Sequence, residues 1–427
     1  MIPADKKSQT EYTSQAWLVI GGASTCLFCT VGFMNSFGIF QEYYTTHQLA
    51  QSSQSTIAWL GATSVFFLFS ISVISGAMLD MFGPKFLSYL GSFGTILGVM
   101  MISLCNDFYQ FLLAQGVLLG ISMSLVTWPL LALVGQYIKR KRALAMGIVL
   151  AGSSLGGVIW PIVIDRLLKS PEIGFPWTMR IVGFIMIPCL SFSCAAARSP
   201  KQHGVDVESE CPDRSLTSND AVSQQKAINR KAEASALFRK PEMRLLCSAM
   251  SMIYFGMFSP FFFTPSYATA NGFSSSFAFY TVSIVNGASF FGRILPGIVA
   301  DKYGKFNCCV VCTLVAGIVA LCWTRVDSVA GLGVWAAAYG FASGGILSLQ
   351  QACAAQVATP STLGLAIGSV SGSTALSAMA NAPIGGVLVE KYGYLSLSIF
   401  SGVSLLLGGL LLAAARLVQN RQFYAVV

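Results

Sequence analysis

The chain has 427 residues, of which 54% are hydrophobic and 10% charged, with a mean hydropathy of +0.67. That composition excludes a soluble globular domain, and the absence of apolar/polar alternation excludes a β-barrel, which leaves an all-α membrane protein. The net charge of +9 does not indicate nucleic acid, because Lys85, the run Lys139 to Arg142, Lys302, Lys305, Arg416 and Arg421 all fall on the side that the positive-inside rule makes cytosolic.

Residues 1–16 carry Asp5, Lys6, Lys7 and Glu11 and read as a cytosolic tail with no cleavable signal before the first span. Apolar segments of about 20 residues then recur about twelve times, and residues 17–197 hold the first six. Span one, about Trp17 to Phe40, ends in VGFMNSFGIFQEYY, where Gly32 and Gly38 permit close helix approach and Asn35 requires a polar partner. Span two, about Thr56 to Leu79, leads into GAMLDMFGPKF and sets Gly76, Asp80 and Gly83 around a short cytosolic turn. Trp128 lies in span four, and the basic turn QYIKRKRALAMG brings Arg140 and Arg142 to the start of span five. That span carries Gly147, Gly152, Gly156 and Gly157, a small-residue face for tight packing, followed by Trp160.

Residues 198–243 are rich in Ser, Lys, Glu and Gln and read as a flexible cytosolic linker. Residues 244–417 repeat the first half, with Gly297, Asp301 and Gly304 reproducing the spacing of Gly76, Asp80 and Gly83, and residues 418–427 form a second cytosolic tail. Span seven, about Leu245 to Thr264, offers Tyr254 and can kink at Pro260 and Pro265; span ten ends near Gln350 and Gln351. Span eleven has Gly364, Gly368 and Gly372 at four-residue spacing, then Asn381 and Pro383.

Span eight contains Arg293, a basic residue deep in an apolar helix, eight positions (about 12 Å) before Asp301. An arginine at that depth costs roughly 2.5 to 3.5 kcal/mol on insertion scales, so it requires a partner. Asn286, Ser289, Arg293 and Gly297 recur at three- and four-residue spacing and form a polar stripe predicted to face a wet interior. Asn35, Asn286, Ser289 and Asn381 are candidate polar lining around Arg293; Tyr254, Trp128 and Trp160 are candidate aromatic walls, with the two tryptophans equally readable as core. Asp80 and Asp301 are placed to accept hydrogen bonds from a helix N-terminus of the opposite half, or to pair with Arg140 or Arg142, and so to clasp a cytosolic gate. Cys26 with Cys29, and Cys309 with Cys312, lie in apolar spans away from His47 and His203, so they read as small packing residues; no metal or cofactor is predicted.

The duplicated Gly-Asp-Gly turns, the two halves and the central loop resemble the major facilitator superfamily. More narrowly, GFMNSFGIFQEYY, QYIKRKRALAMGIVLAGSSLGGVIWP and NGASFFGRILPGIVADKYGKFN are similar to the fungal branch of the monocarboxylate porter family. The resemblance implies twelve transmembrane helices in two pseudo-symmetric six-helix bundles, and it gives the residue matching Arg293 the substrate carboxylate. Many fungal members are exporters of secondary metabolites. Animal members carry an aspartate where this chain has Ser289 and a lysine where it has Ile39, so their proton-coupled carriage of small acids does not transfer. The sequence thus predicts a monomeric alternating-access carrier of an organic anion in a lipid bilayer, the plasma membrane with the vacuolar membrane as the alternative, with both termini cytosolic. The alternative is a non-transporting nutrient receptor on the same fold.

Overall fold

The computed structural model describes residues 13–198 and 232–420, and among these no β-strand occurs. The expected tails, apart from their inner residues, and linker residues 199–231 lie outside the described residues. The first half comprises α1 (Ser14–Cys29), α2 (Val31–Met34), α3 (Phe37–Thr46), α4 (Gln54–Ser70), α5 (Ser72–Phe82), α6 (Pro84–Ile102) and α7 (Phe108–Phe111). After a π-helical stretch, Leu112–Leu118, come α8 (Leu119–Tyr137), α9 (Arg142–Leu168) and α10 (Gly174–Ala196). Then follow α11 (232–239), α12 (Pro241–Met257), α13 (Ser259–Ala270), α14 (Ser275–Tyr303), α15 (Lys305–Leu321), α16 (Val329–Val357), α17 (Leu363–Ser373) and α18 (Ala375–Gln419).

Among the described residues, ten helical stretches are long and apolar enough to cross a membrane. Lys305–Leu321 is apolar over 17 residues, and the last stretch, Leu363–Gln419, is broken inside α18 at Gly393. Gly83, Gly304 and Gly393 have φ of 76°, 100° and 76°. Each ends one helix and starts the next in a backbone region that residues with a Cβ avoid. Pro84 then opens α6, where a missing N–H loses no intrahelical bond.

Several spans differ from their sequence-predicted bounds. Span one continues through α3 to Thr46 and so contains Glu42, which is exposed; span two is interrupted at Ile71; span seven is interrupted at Phe258. Inside a bilayer each interruption frees carbonyls that water cannot reach, so side chains must satisfy them. The indole of Trp160 donates to Phe28 O at 2.9 Å, at the end of α1, and that of Trp128 to Leu68 O at 2.8 Å, at the end of α4. At the end of α12, Asn381 donates to Phe255 O, Ser401 to Gly256 O and Tyr339 to Met257 O. The breaks are therefore specified by donors on neighbouring helices.

The linker's final part is not the flexible loop that its composition suggests. Residues 232–239 are helical, with Leu237 buried, and Lys240 donates to Val357 O at 2.9 Å.

Candidate substrate site and gate

The two halves meet along two seams, α9 against α14 and α5 against α17. At one end of the α9–α14 seam the Asp301 carboxylate accepts from Ala143 N at 3.0 Å and Leu144 N at 2.9 Å, in the first turn of α9. At the same end of the other seam, Asp80 accepts from Gly364 N at 3.2 Å and Leu365 N at 3.0 Å, in the first turn of α17. The first N–H groups of a helix have no intrahelical acceptor and carry its positive pole, so a carboxylate is their natural partner. Arg142 donates to Ala355 O at 2.7 Å and Ile138 O at 3.3 Å, joining the start of α9 to the end of α16, while Arg140 lies exposed on the turn before α9.

Glycine lets these seams close backbone to backbone. A Cβ at Gly76 would lie 2.1 Å from Gly364 O, at Gly297 2.8 Å from Ala143 O, and at Gly147 2.2 Å from Arg293 O. No side chain fits between the helices there.

Further along α14, Arg293 is 3% exposed. Its Nη1 donates to Leu150 O at 2.5 Å and to Ser153 Oγ, both on α9, so the guanidinium bridges the halves. Among the described residues Arg293 forms no ion pair and its Nε has no hydrogen-bond partner. Tyr254 is fully buried within electrostatic range of the guanidinium, with its hydroxyl accepting from Gln350 Nε2 at 2.8 Å. Phe69 packs edge-on against the Tyr254 ring, 5.5 Å between centroids, and in turn touches Trp128.

About 10 Å from Arg293 along α14, away from Asp301, Asn286 Oδ1 meets Asn35 Nδ2 of the first half at 3.5 Å. Gly157 permits this pairing, since a Cβ there would lie 2.6 Å from Asn286 Oδ1.

The predicted stripe is only partly one face. At 100° per residue, positions 286, 293 and 297 fall within about 20° of a line, and all three face the first half, whereas position 289 falls about 60° to the side. Ser289 accordingly packs against α16, where a Cβ on Gly344 would lie 2.9 Å from its Oγ. Nor is the stripe wet in this conformation, because Asn286, Ser289 and Arg293 are all buried. Asn381, Trp128 and Trp160 give their donor groups to the carbonyls of broken helices, and Trp160 packs within the first half against Phe28 and Phe33. Gln350 belongs to the cluster although it was not among the predicted site residues. The signal was an amide in an apolar helix, masked by reading the helix as ending there when it continues to Val357.

The protein-family model described as Major Facilitator Superfamily matches residues 23–339. An MFS-type transporter of Aspergillus fumigatus is 42% identical over 409 residues, covering 96% of this chain and 94% of its own. The agnestins efflux protein AgnL12 of Paecilomyces divaricatus is 41% identical, covering 96% and 90% respectively, and the aspyridones efflux protein of Emericella nidulans is 38% identical, covering 95% and 78%. In fold, the human organic anion transporter MFSD10 superposes with a TM-score of 0.69 over 96% of this chain and 100% of its own, at 17% identity. The chain belongs to the Major Facilitator Superfamily and is a membrane transporter, not an enzyme.

Proposed function

We propose that this transporter is an exporter of the monocarboxylate-porter type that carries an organic anion, a carboxylic acid or acidic secondary metabolite, by alternating access. Counting Lys305–Leu321 as a span and dividing Leu363–Gln419 in two gives twelve crossings, six in residues 17–197 and six in 244–417. The basic bias supports a cytosolic location for the end bearing Asp80 and Asp301 and for both termini. The names of the efflux relatives support export of a metabolite.

The observation that carries the reading is Arg293, a buried cation at the seam that forms no ion pair with a carboxylate among the described residues. Its bonds to Leu150 O and Ser153 Oγ, each worth about 1.5–3 kcal/mol for a charged donor, offset the cost of a buried guanidinium while the seam is closed. When the halves part, both bonds are lost. A substrate anion then replaces them, taking the unpartnered Nε and a terminal nitrogen as a bidentate acceptor. Asn35 and Asn286 supply polar lining further from the cytosol, and Tyr254 with Gln350 walls the anion on the other side. The two Asp clasps hold the cytosolic face shut in one state and release it in the other.

Metabolite profiling of cells and medium, with and without the gene, tests the reading. An acidic metabolite that accumulates inside the deletion strain identifies the cargo, and Arg293→Ala, expressed at the wild-type level, should reproduce that accumulation. Normal export by Arg293→Ala would refute the anchor role, and binding without flux in proteoliposomes would favour a receptor.

A further inference from the structure

The outer surface between α14, α15 and α16 carries a groove of about 380 Å³ that the transport reading does not use. Leu295 and Val299 of α14, Val311 of α15 and Phe341 of α16 line it, and Tyr303 and Asn307 lie at its end nearest Asp301. Leu295, Val299 and Val311 are 48%, 46% and 60% exposed to the surroundings, so the groove opens to the apolar belt and not to the seam between halves. At its base Pro296 and Cys312 pack closely against α16, where a Cβ on Gly345 would lie 2.7 Å from Cys312 Sγ. Leu295 to Tyr303 spans about 12 Å of helix, against about 15 Å for half a hydrocarbon core. The groove is therefore nearly as long as one leaflet is deep.

Its two ends differ in chemistry. The wall is apolar from Leu295 to Val299, while the Tyr303 end carries the exposed Lys302, with Arg416 buried behind it. The Lys302 ammonium lies 5.1 Å from the Tyr303 ring centroid, and Arg416 Nε donates to Asn307 Oδ1 at 2.8 Å. The neighbouring acid, Asp301, is turned the other way, with both carboxylate oxygens on the first turn of α9. A molecule that fits must be apolar over the length of a leaflet and negative at the interface.

We propose that this groove is a binding site for an anionic glycerophospholipid, with one acyl chain along Leu295, Val299 and Val311 and the headgroup beside the exposed Lys302. Each interfacial cation favours an anionic over a zwitterionic headgroup by about fivefold. The site does not depend on what the carrier transports.

Native mass spectrometry of the full chain in detergent, titrated separately with dioleoylphosphatidylserine and dioleoylphosphatidylcholine, tests this. One phosphatidylserine is expected to bind about fivefold more tightly than phosphatidylcholine. Val311→Trp fills the groove and should weaken that one site at least tenfold, whereas Val315→Trp, one turn along the exposed face of α15 and outside the groove, should not. Lys302→Gln should lower the serine-over-choline preference about fivefold and leave chain binding in place. Equal affinity for the two lipids, or equal effects of the two tryptophans, would overturn the proposal. Should Val311→Trp lower the melting temperature, the exposed Lys302→Gln decides alone: an undiminished preference counts against the site.

Discussion

Replacing Asp301 by Asn changes the clasp by a calculable amount. The carboxylate takes two N–H groups, Ala143 at 3.0 Å and Leu144 at 2.9 Å, one on each oxygen. An amide keeps one acceptor oxygen and turns an NH₂ toward the other donor, so one charged hydrogen bond worth about 1.5–3 kcal/mol is lost. Loss of the negative charge at the α9 N-terminus removes about 0.3–1 kcal/mol more. The conformer with this end closed should thus lose about 2–4 kcal/mol, a shift of roughly 30- to 700-fold toward the open arrangement. Nitroxides at the exposed positions Lys139 and Thr359, on turns of opposite halves at this end, report the change as a longer distance in pulsed electron resonance. Asp80→Asn should act on the same equilibrium through α17, and the double variant should show close to the sum of the two free energies, since the clasps share no partner. An unaltered distance distribution in Asp301→Asn, with the melting temperature retained, would refute the clasp.

Two further outcomes separate seam from scaffold. Gly147→Ala puts a methyl 2.2 Å from Arg293 O, which the backbone cannot yield, so the closed conformer and at least tenfold of transport should be lost, while Gly386→Ala, with nothing within 4 Å, should transport normally; flux in proteoliposomes compares them. Asn381→Leu strands Phe255 O inside the bilayer and should destabilise the fold by about 1–3 kcal/mol, read as a lower melting temperature, with transport per folded molecule unchanged. Lost transport at full stability would return Asn381 to the substrate lining.

Residues whose role is local and charged were the legible ones. Asp80 and Asp301 stand in the same Gly-Asp-Gly spacing twice, and a carboxylate at a helix end has few partners to choose from, so helix N-termini were among the alternatives that the sequence offered. Arg293 was equally visible, because a cation deep in an apolar helix is costly unless it finds a partner or its stem reaches the interface. The helix interruptions were not visible. No Gly or Pro stands between Gly61 and Gly76, yet the chain breaks at Ile71, because the donor that makes the break tolerable, Trp128, comes from another helix. The same cause explains why Trp128, Trp160 and Asn381 read as lining: a polar group in a span signals a need for a partner, and only the tertiary structure shows whether that partner is cargo or a stranded carbonyl. Ser289 failed for a simpler reason, a three-residue step taken as equivalent to a seven-residue one.

The two seams share one plan and differ in the side chain that donates across them. Ser72 stands eight residues before Asp80 as Arg293 stands eight before Asp301, and each donates across its seam to a carbonyl, Ser72 to Gly368 O at 2.7 Å and Arg293 to Leu150 O. The glycines correspond as well, with a Cβ on Gly368 meeting Ser72 O and one on Gly147 meeting Arg293 O, both at 2.2 Å. One seam therefore closes through a neutral hydroxyl and the other through a cation, so an anionic cargo of the kind proposed would act on the α9–α14 seam. Arg293→Ser would make the seams equivalent. The shorter donor can still bond the α9 backbone and leaves no buried charge, so the closed conformer should form as readily as in the wild type, while anion binding should be lost. With nitroxides at Lys139 and Thr359, the wild-type distance distribution should shift when the exported acid is added, and that of Arg293→Ser should stay closed at every concentration. A variant that still responds to the acid would show that the anion is sensed elsewhere, and one that no longer closes would show that the guanidinium holds the seam together as a structural tie.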